Sequence, residues 1–221
     1  MSENQNSKTA IVAGATGLVG EQLINLLLSS PEYGKVIAVV RKPLAITHQK
    51  LEQKVIEFSQ LLSELSDIKA DHGFCCLGTT IKTAGSKENQ HVIDHDYVVN
   101  FARAAYQAGA SRFAVVSSIG ASSSSGNFYL RTKGKMEVDL QQIPFEGLYI
   151  LQPSFLLGDR KEFRSGEKFG IVLMKLLSPL MVGSLRKYRG VLASVVASSM
   201  IRVINSDEKN VQIIRSDKLF S

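Results

Sequence analysis

Tyr129 and Lys133 stand four positions apart, one turn of a helix, so a phenol and an ammonium share a face and the positive charge favours the ionised phenol. Such a pair can exchange a proton with a substrate oxygen. Ser117-Ser118 ends an apolar run upstream, and a serine hydroxyl there can hydrogen-bond a carbonyl or an alcohol. A surface tyrosine beside a lysine is common at this spacing, so the set gains meaning only beside a second feature.

That feature is Gly14-Ala15-Thr16-Gly17-Leu18-Val19-Gly20, which follows the apolar run Thr9–Ala13 and opens a segment of helical periodicity. Gly14 permits a tight turn, Gly17 a close approach to a pyrophosphate, and Gly20 close seating of the helix on the sheet, whose N-terminal N–H groups then face the anion. The GxxGxxG spacing is one residue longer between the first two glycines than the GxGxxG dinucleotide fingerprint. After the next apolar run, Val36–Val40, stand Arg41 and Lys42 where an acid would bind a ribose hydroxyl. A guanidinium forks onto a 2′-phosphate, which predicts NADP(H) rather than NAD(H). Phe58, at the end of a third strand, can bound the adenine. Leu77-Gly78-Thr79-Thr80 falls at the sheet edge where ligands bind in such architectures. With a dinucleotide in place, Lys133 also holds the nicotinamide ribose.

To bring these residues together the chain needs strands and helices in alternation, and its hydrophobic pattern supplies them. Short apolar runs at 9–13, 36–40, 54–58, 71–77, 112–117 and 147–151 read as strands. Helical spacing joins them: Leu18 to Leu27 before Pro31, Leu61 to Leu65, Tyr97 to Gln107 before Gly109, and Tyr129 to about Gln142 before Pro144. Right-handed crossovers of such units predict an α/β fold, a Rossmann-like doubly wound parallel sheet. Beyond residue 158 the pattern weakens to a charged turn at 159–164, an apolar stretch at 170–185, a helix near 191–205 and a strand at 211–214. With no linker or repeat, the expectation is one domain, with a cofactor core at 8–157 and a substrate-side segment at 158–221.

Composition sets the outer limits. Hydrophobic residues make up 44% and charged residues 21%, which excludes disorder and fibrous repeats. The net charge of +6 suits an anionic ligand, but without clustering it makes no case for nucleic acid. The polar Met1–Lys8 stretch lacks the apolar core of a secretory signal, so a cytoplasmic protein is expected. Lys175 and Pro179 interrupt the apolar stretch, which falls short of the ~20 residues of a spanning helix, so no membrane is expected. The adjacent Cys75 and Cys76 pack as small hydrophobes in a reduced compartment. They and the scattered His48, His72, His91 and His95 lack the usual ligand spacing, so no metal is expected.

The two constellations, with strand–helix order between them, resemble the short-chain dehydrogenase/reductase superfamily in its atypical branch. Asp71-His-Gly-Phe-Cys-Cys-Leu-Gly-Thr-Thr80, Asp94-His-Asp-Tyr-Val98, Ser117-Ser118 with Gly120-Ala121, and Tyr129-Leu-x-x-Lys133-Gly134 are similar to the Tat-interacting-protein oxidoreductase family, and the resemblance runs from about residue 8 to 215. It implies NADPH in a Rossmann-like domain, Ser118, Tyr129 and Lys133 as the catalytic set, and a cofactor lining of Gly14, Thr16, Gly17, Leu18, Val19, Arg41, Gly78, Thr79 and Thr80. In the wider superfamily the segment after the sixth strand closes over the nicotinamide, here Gln152-Pro153-Ser154-Phe155. Ser117 competes with Ser118 for the catalytic place; the second serine sits nearer the strand exit.

The function these readings imply is hydride transfer between NADP(H) and a small carbonyl or alcohol by a monomer or weak homodimer. With only about 60 residues after the sixth strand, little chain is left for a sugar-nucleotide lid. The alternative is an NADPH-binding regulator without turnover.

Overall fold

The computed structural model describes residues 7–158 and 190–220. Strands β1 (Lys8–Ala13), β2 (Tyr33–Val40), β3 (Leu51–Val55), β4 (His72–Cys75), β5 (Arg112–Val116), β6 (Gly147–Gln152) and β9 (Asn210–Arg215) form one seven-stranded sheet. Its order is β3-β2-β1-β4-β5-β6-β9, and every pairing is parallel. The apolar runs of β1, β4, β5 and β6 are buried on both faces, as all-parallel sheets require. The expected Rossmann-like doubly wound fold is what the chain adopts.

Helices α1 (Leu18–Ser29) and α7 (Ala193–Ile204) bury one face with Leu23, Leu27, Val196 and Met200. Helices α5 (Tyr97–Gln107) and α6 (Phe128–Leu140) bury the other with Phe101, Ala105, Met136 and Leu140. Each large aliphatic side chain so enclosed contributes roughly 1.5–3 kcal/mol. From β1 the chain winds outward to β2 and β3, then returns to place β4 on the other side of β1. The strand order reverses between β1 and β4, and outside the carboxyl ends at such a reversal open α/β sheets form their ligand crevice.

Three local features depart from the sequence pattern. The third strand is Leu51–Val55 rather than 54–58, a polar edge strand whose Glu52 pairs with Lys35 and Lys54, and the expected Leu61–Leu65 helix is the single turn α2 (Leu61–Glu64). The helix leading into α5 begins earlier, as α4 (Lys87–His91) and a π turn (Val92–Asp96), preceded by the single turn α3 (Ile81–Ala84). Two-residue strands β7 (Leu156–Leu157) and β8 (Val191–Leu192) pair beside the main sheet. The charged turn at 159–164 and the apolar stretch at 170–185 lie outside the described residues.

Candidate functional site

The glycine run does what its spacing predicts. Gly14 leaves β1 with φ +83°, and a Cβ there would lie 2.5 Å from the Cys76 carbonyl carbon, so the loop passes against the end of β4. A Cβ on Gly20 would meet the Gly14 carbonyl oxygen at 2.0 Å, which is how α1 seats so closely. The Gly17 N–H donates to Gly14 O at 3.0 Å, and extended Gly17 starts α1 with no side chain capping it. That leaves first-turn N–H groups to meet an anion. Thr16 and Gly17 are exposed and Leu18 half-buried, whereas Val19 and Gly20 are buried and offer their backbone alone.

Arg41 and Lys42 stand exposed immediately beyond β2, on the same carboxyl edge. Across the crevice, Gly78 is exposed while Leu77, Thr79 and Thr80 are half-buried. Thr80 turns inward to cap α3, its Oγ1 accepting from the Thr83 N–H at 3.1 Å. Phe58 is placed differently from the expectation. Its ring lies in the core at 4% exposure, edge-on to Tyr97 at 5.7 Å, because β3 ends early and the chain turns inward at residue 58.

Lys133 is 2% exposed, and Asp94, fully buried on the π turn, brings Oδ1 to 3.8 Å from its ammonium. The same oxygen accepts the Thr79 N–H at 2.9 Å, tying the β4 loop to α6. Burial by itself would lower the lysine's affinity for its proton. The Asp94 carboxylate, then Tyr129, Cys75 and Glu137, outweigh burial and hold Lys133 above the usual lysine value. Tyr129, one turn earlier on α6, is half-buried.

The serines divide. Ser117 is buried and donates to Glu137 of α6, which also accepts from Gln152 Nε2 at 3.0 and 3.1 Å. Burial holds the Glu137 carboxyl above its usual range despite these bonds. Ser118 is half-buried, and its hydroxyl makes only a 3.4 Å contact with the Ile119 carbonyl. Pro153 is buried and accepts the Ile119 N–H at 3.0 Å, while Ser154 and Phe155 are half-buried. A cavity of about 570 Å³ is lined by Ile119, Gly120 and Ala121, which follow Ser118, and by Leu130, Glu137, Gln152, Ile213 and Arg215. It adjoins the proposed proton donor's helix rather than the phosphate loop.

Asp94 escaped sequence reasoning as a site residue. A signal existed: Gln90, Asp94, Val98, Phe101 and Ala105 form the buried stripe of the helix, so a carboxylate occupies an apolar position. The cysteines carry no such role, since burial pushes the Cys75 thiol up to about 12 and raises Cys76 well above its usual range.

Comparison with known proteins agrees with this geometry. Residues 14–164 match an NAD(P)H-binding family. The chain is 32% identical over 214 residues to the mitochondrial protein FMP52 of Eremothecium gossypii, covering 96% of each. It is 34% identical over 165 residues to HTATIP2 of Rattus norvegicus, covering 73% of this chain and 68% of that one. Among solved structures, UDP-glucose 4-epimerase of Thermotoga maritima superposes with a TM-score of 0.70 at 12% identity, over 96% of this chain and 80% of that one. The dTDP-4-dehydrorhamnose reductase of Bacillus anthracis, in complex with NADP, gives 0.66 at 17% identity, over 96% and 76%. These likenesses show the fold. The relatives correct one expectation: several are mitochondrial by name, which points to the mitochondrion rather than the cytoplasm. The cytoplasmic expectation rested on Met1–Lys8 having no apolar secretory core, and such an absence does not choose between compartments. Among the described residues no helix is long and apolar enough to cross a membrane.

Proposed function

Because the chain belongs to the NAD(P)H-binding, atypical short-chain dehydrogenase/reductase family that includes the FMP52 and HTATIP2 proteins, we propose that it is an NADP(H)-dependent oxidoreductase acting on a small carbonyl or alcohol. The observation that carries the reading is the buried, charged Lys133 one helical turn from a half-exposed phenol. The tight loop that Gly14 and Gly20 allow by close backbone approach, and the uncapped start of α1, fit a dinucleotide diphosphate. Bound NADP(H) would supply or accept hydride at nicotinamide C4. Tyr129 exchanges the proton with the substrate oxygen, Ser118 hydrogen-bonds that oxygen, and Lys133 holds the ribose and favours the ionised phenol. Ser117 is spent on Glu137, which favours Ser118. Gly14, Thr16, Gly17, Leu18, Gly78, Thr79 and Thr80 line the nucleotide, with Pro153, Ser154 and Phe155 on its nicotinamide side. We read the chain as a single domain working in the mitochondrion, as the FMP52 names suggest.

The test uses NADPH deuterated at C4 with a panel of aldehydes and ketones. Deuterium on the carbinol carbon of a product, matched by NADPH consumed, is expected. NADPH binding without consumption across the panel overturns the enzyme reading and leaves a nucleotide-binding regulator.

Cofactor choice rests on Arg41. NADP is expected to bind more tightly than NAD, and Arg41→Ala to weaken NADP roughly ten- to a hundredfold, the worth of one charge-assisted contact, while leaving NAD unchanged. Fluorescence titration of both nucleotides checks this; equal affinities for wild type reject the preference.

A further inference from the structure

On the outer side of the π turn, away from the nucleotide crevice, four side chains meet: His91, His95 and Asp96, with Asp139 reaching over from α6. His91 Nε2 lies 3.7 Å, and His95 Nδ1 2.7 Å, from the same Asp96 oxygen, and one ligand atom from each of the three residues falls within 4.8 Å of the others. The two imidazoles lie face to face, 13° from parallel with centroids 4.6 Å apart. Asp139 Oδ2 stands 3.0 Å from His95 Nε2.

Both nitrogens of His95 thus face carboxylate oxygens, while a neutral imidazole has a single N–H. With Asp139 accepting that N–H from Nε2, the Nδ1 lone pair points at the Asp96 carboxylate, two electron-rich atoms at hydrogen-bond distance. A cation between them would be held by both. A helix offering histidines at i and i+4 and an acid at i+5, backed by a carboxylate on the far nitrogen of one ring, has the parts of a metal site with its orienting outer shell.

We propose that His91 Nε2, His95 Nδ1 and Asp96 Oδ1 form a divalent transition-metal site, with Zn²⁺ the best-matched ion and Asp139 orienting His95. Two imidazoles and one carboxylate suit Zn²⁺ over Mg²⁺ or Ca²⁺, which take oxygen donors. Ligand atoms on tetrahedral Zn²⁺ sit roughly 3.3–3.4 Å apart, so the 2.7 Å separation has to open and the 3.7 Å separation to close, each by a side-chain movement on the order of 1 Å or less. The cluster is half-exposed, so solvent can reach it and water would serve as the fourth ligand. The expectation of no metal treated the histidines as scattered; His91 and His95 are in fact one helical turn apart. The metal would tie the π turn to α6 from outside, on the turn whose Asp94 holds Lys133 from within.

The test is calorimetric titration of Zn²⁺ into the full-length, tag-free, chelator-treated protein, beside His91→Ala and Asp139→Asn. One Zn²⁺ per chain is expected. His91→Ala should abolish saturable binding without changing the melting temperature in chelator, and Asp139→Asn should weaken binding roughly ten- to a hundredfold. Co²⁺ should give visible bands of a tetrahedral site in wild type that vanish in His91→Ala. No saturable binding, or an isotherm unchanged in His91→Ala, overturns the proposal. A near-ultraviolet thiolate band with Co²⁺ also overturns it, moving the metal to Cys75 and Cys76.

Discussion

Tyr129→Phe is expected to lower kcat by roughly 10²–10⁴-fold, the usual worth of a positioned proton donor, with NADPH affinity nearly unchanged. At 1.36 kcal/mol per decade that is about 3–5 kcal/mol of transition-state stabilisation lost with one oxygen atom. Asn127 caps the helix by accepting the Leu130 N–H at 3.1 Å, which fixes the first turn and with it the phenol at position 129. Lys133 follows one turn further along α6, buried where Tyr129 is half-exposed, so the charge lies on the core side of the pair. Phenylalanine keeps the ring and its packing, and the nucleotide contacts assigned to Lys133 and the glycine run are untouched. Single-turnover oxidation of NADPH separates chemistry from binding in this comparison. A variant as fast as wild type would remove Tyr129 from the proton-transfer role, whatever its place in the fold.

How legible the molecule was depends on which residues carried the information. Val36–Val40 and Gly147–Leu151 are buried on both sides of the sheet, so continuous apolar runs announced them. Leu51–Val55 lies at the sheet edge, where Glu52 and Lys54 pair in solvent, and a hydrophobic criterion passes over such a strand. The glycine run was legible because steric demands at Gly14 and Gly20 admit almost no other residue. Phe58 was not, since an aromatic after a strand looks alike whether it walls a ligand or fills the core. The cluster around Glu137 was also hidden: Ser117 just beyond β5, Gln152 of β6 and Glu137 of α6 meet only when the strands align in register. Compartment was the least legible property, because folding physics is the same inside a mitochondrion and outside it.

Asp94→Asn is expected to lower kcat/KM roughly tenfold or more near neutral pH and to move the alkaline limb of its pH profile downward by a unit or more, a shift worth about 1.4 kcal/mol per unit. Asparagine keeps an oxygen for the Thr79 N–H, so the β4 loop retains its tie. What disappears is the charge 3.8 Å from Lys133. Burial, the largest single influence on that lysine, then works without its chief opponent, and the ammonium gives up its proton at lower pH. A neutral Lys133 no longer favours the ionised phenol. Stability follows the same sign: a lysine held above its ordinary value contributes fully below about pH 10.4, and the contribution is lost only as pH rises through the folded-state value. Asp94→Asn should therefore also destabilise the protein, since breaking a buried pair costs about 3–5 kcal/mol. Adding Lys133→Met removes the stranded charge and should recover most of that stability without recovering activity. Asp94 would thus act as a positioning residue, and the pH profile is what distinguishes this from a scaffold role. A variant with a lower melting temperature but an unmoved alkaline limb would show that Asp94 braces the fold and leaves the ionisation of Lys133 to other groups.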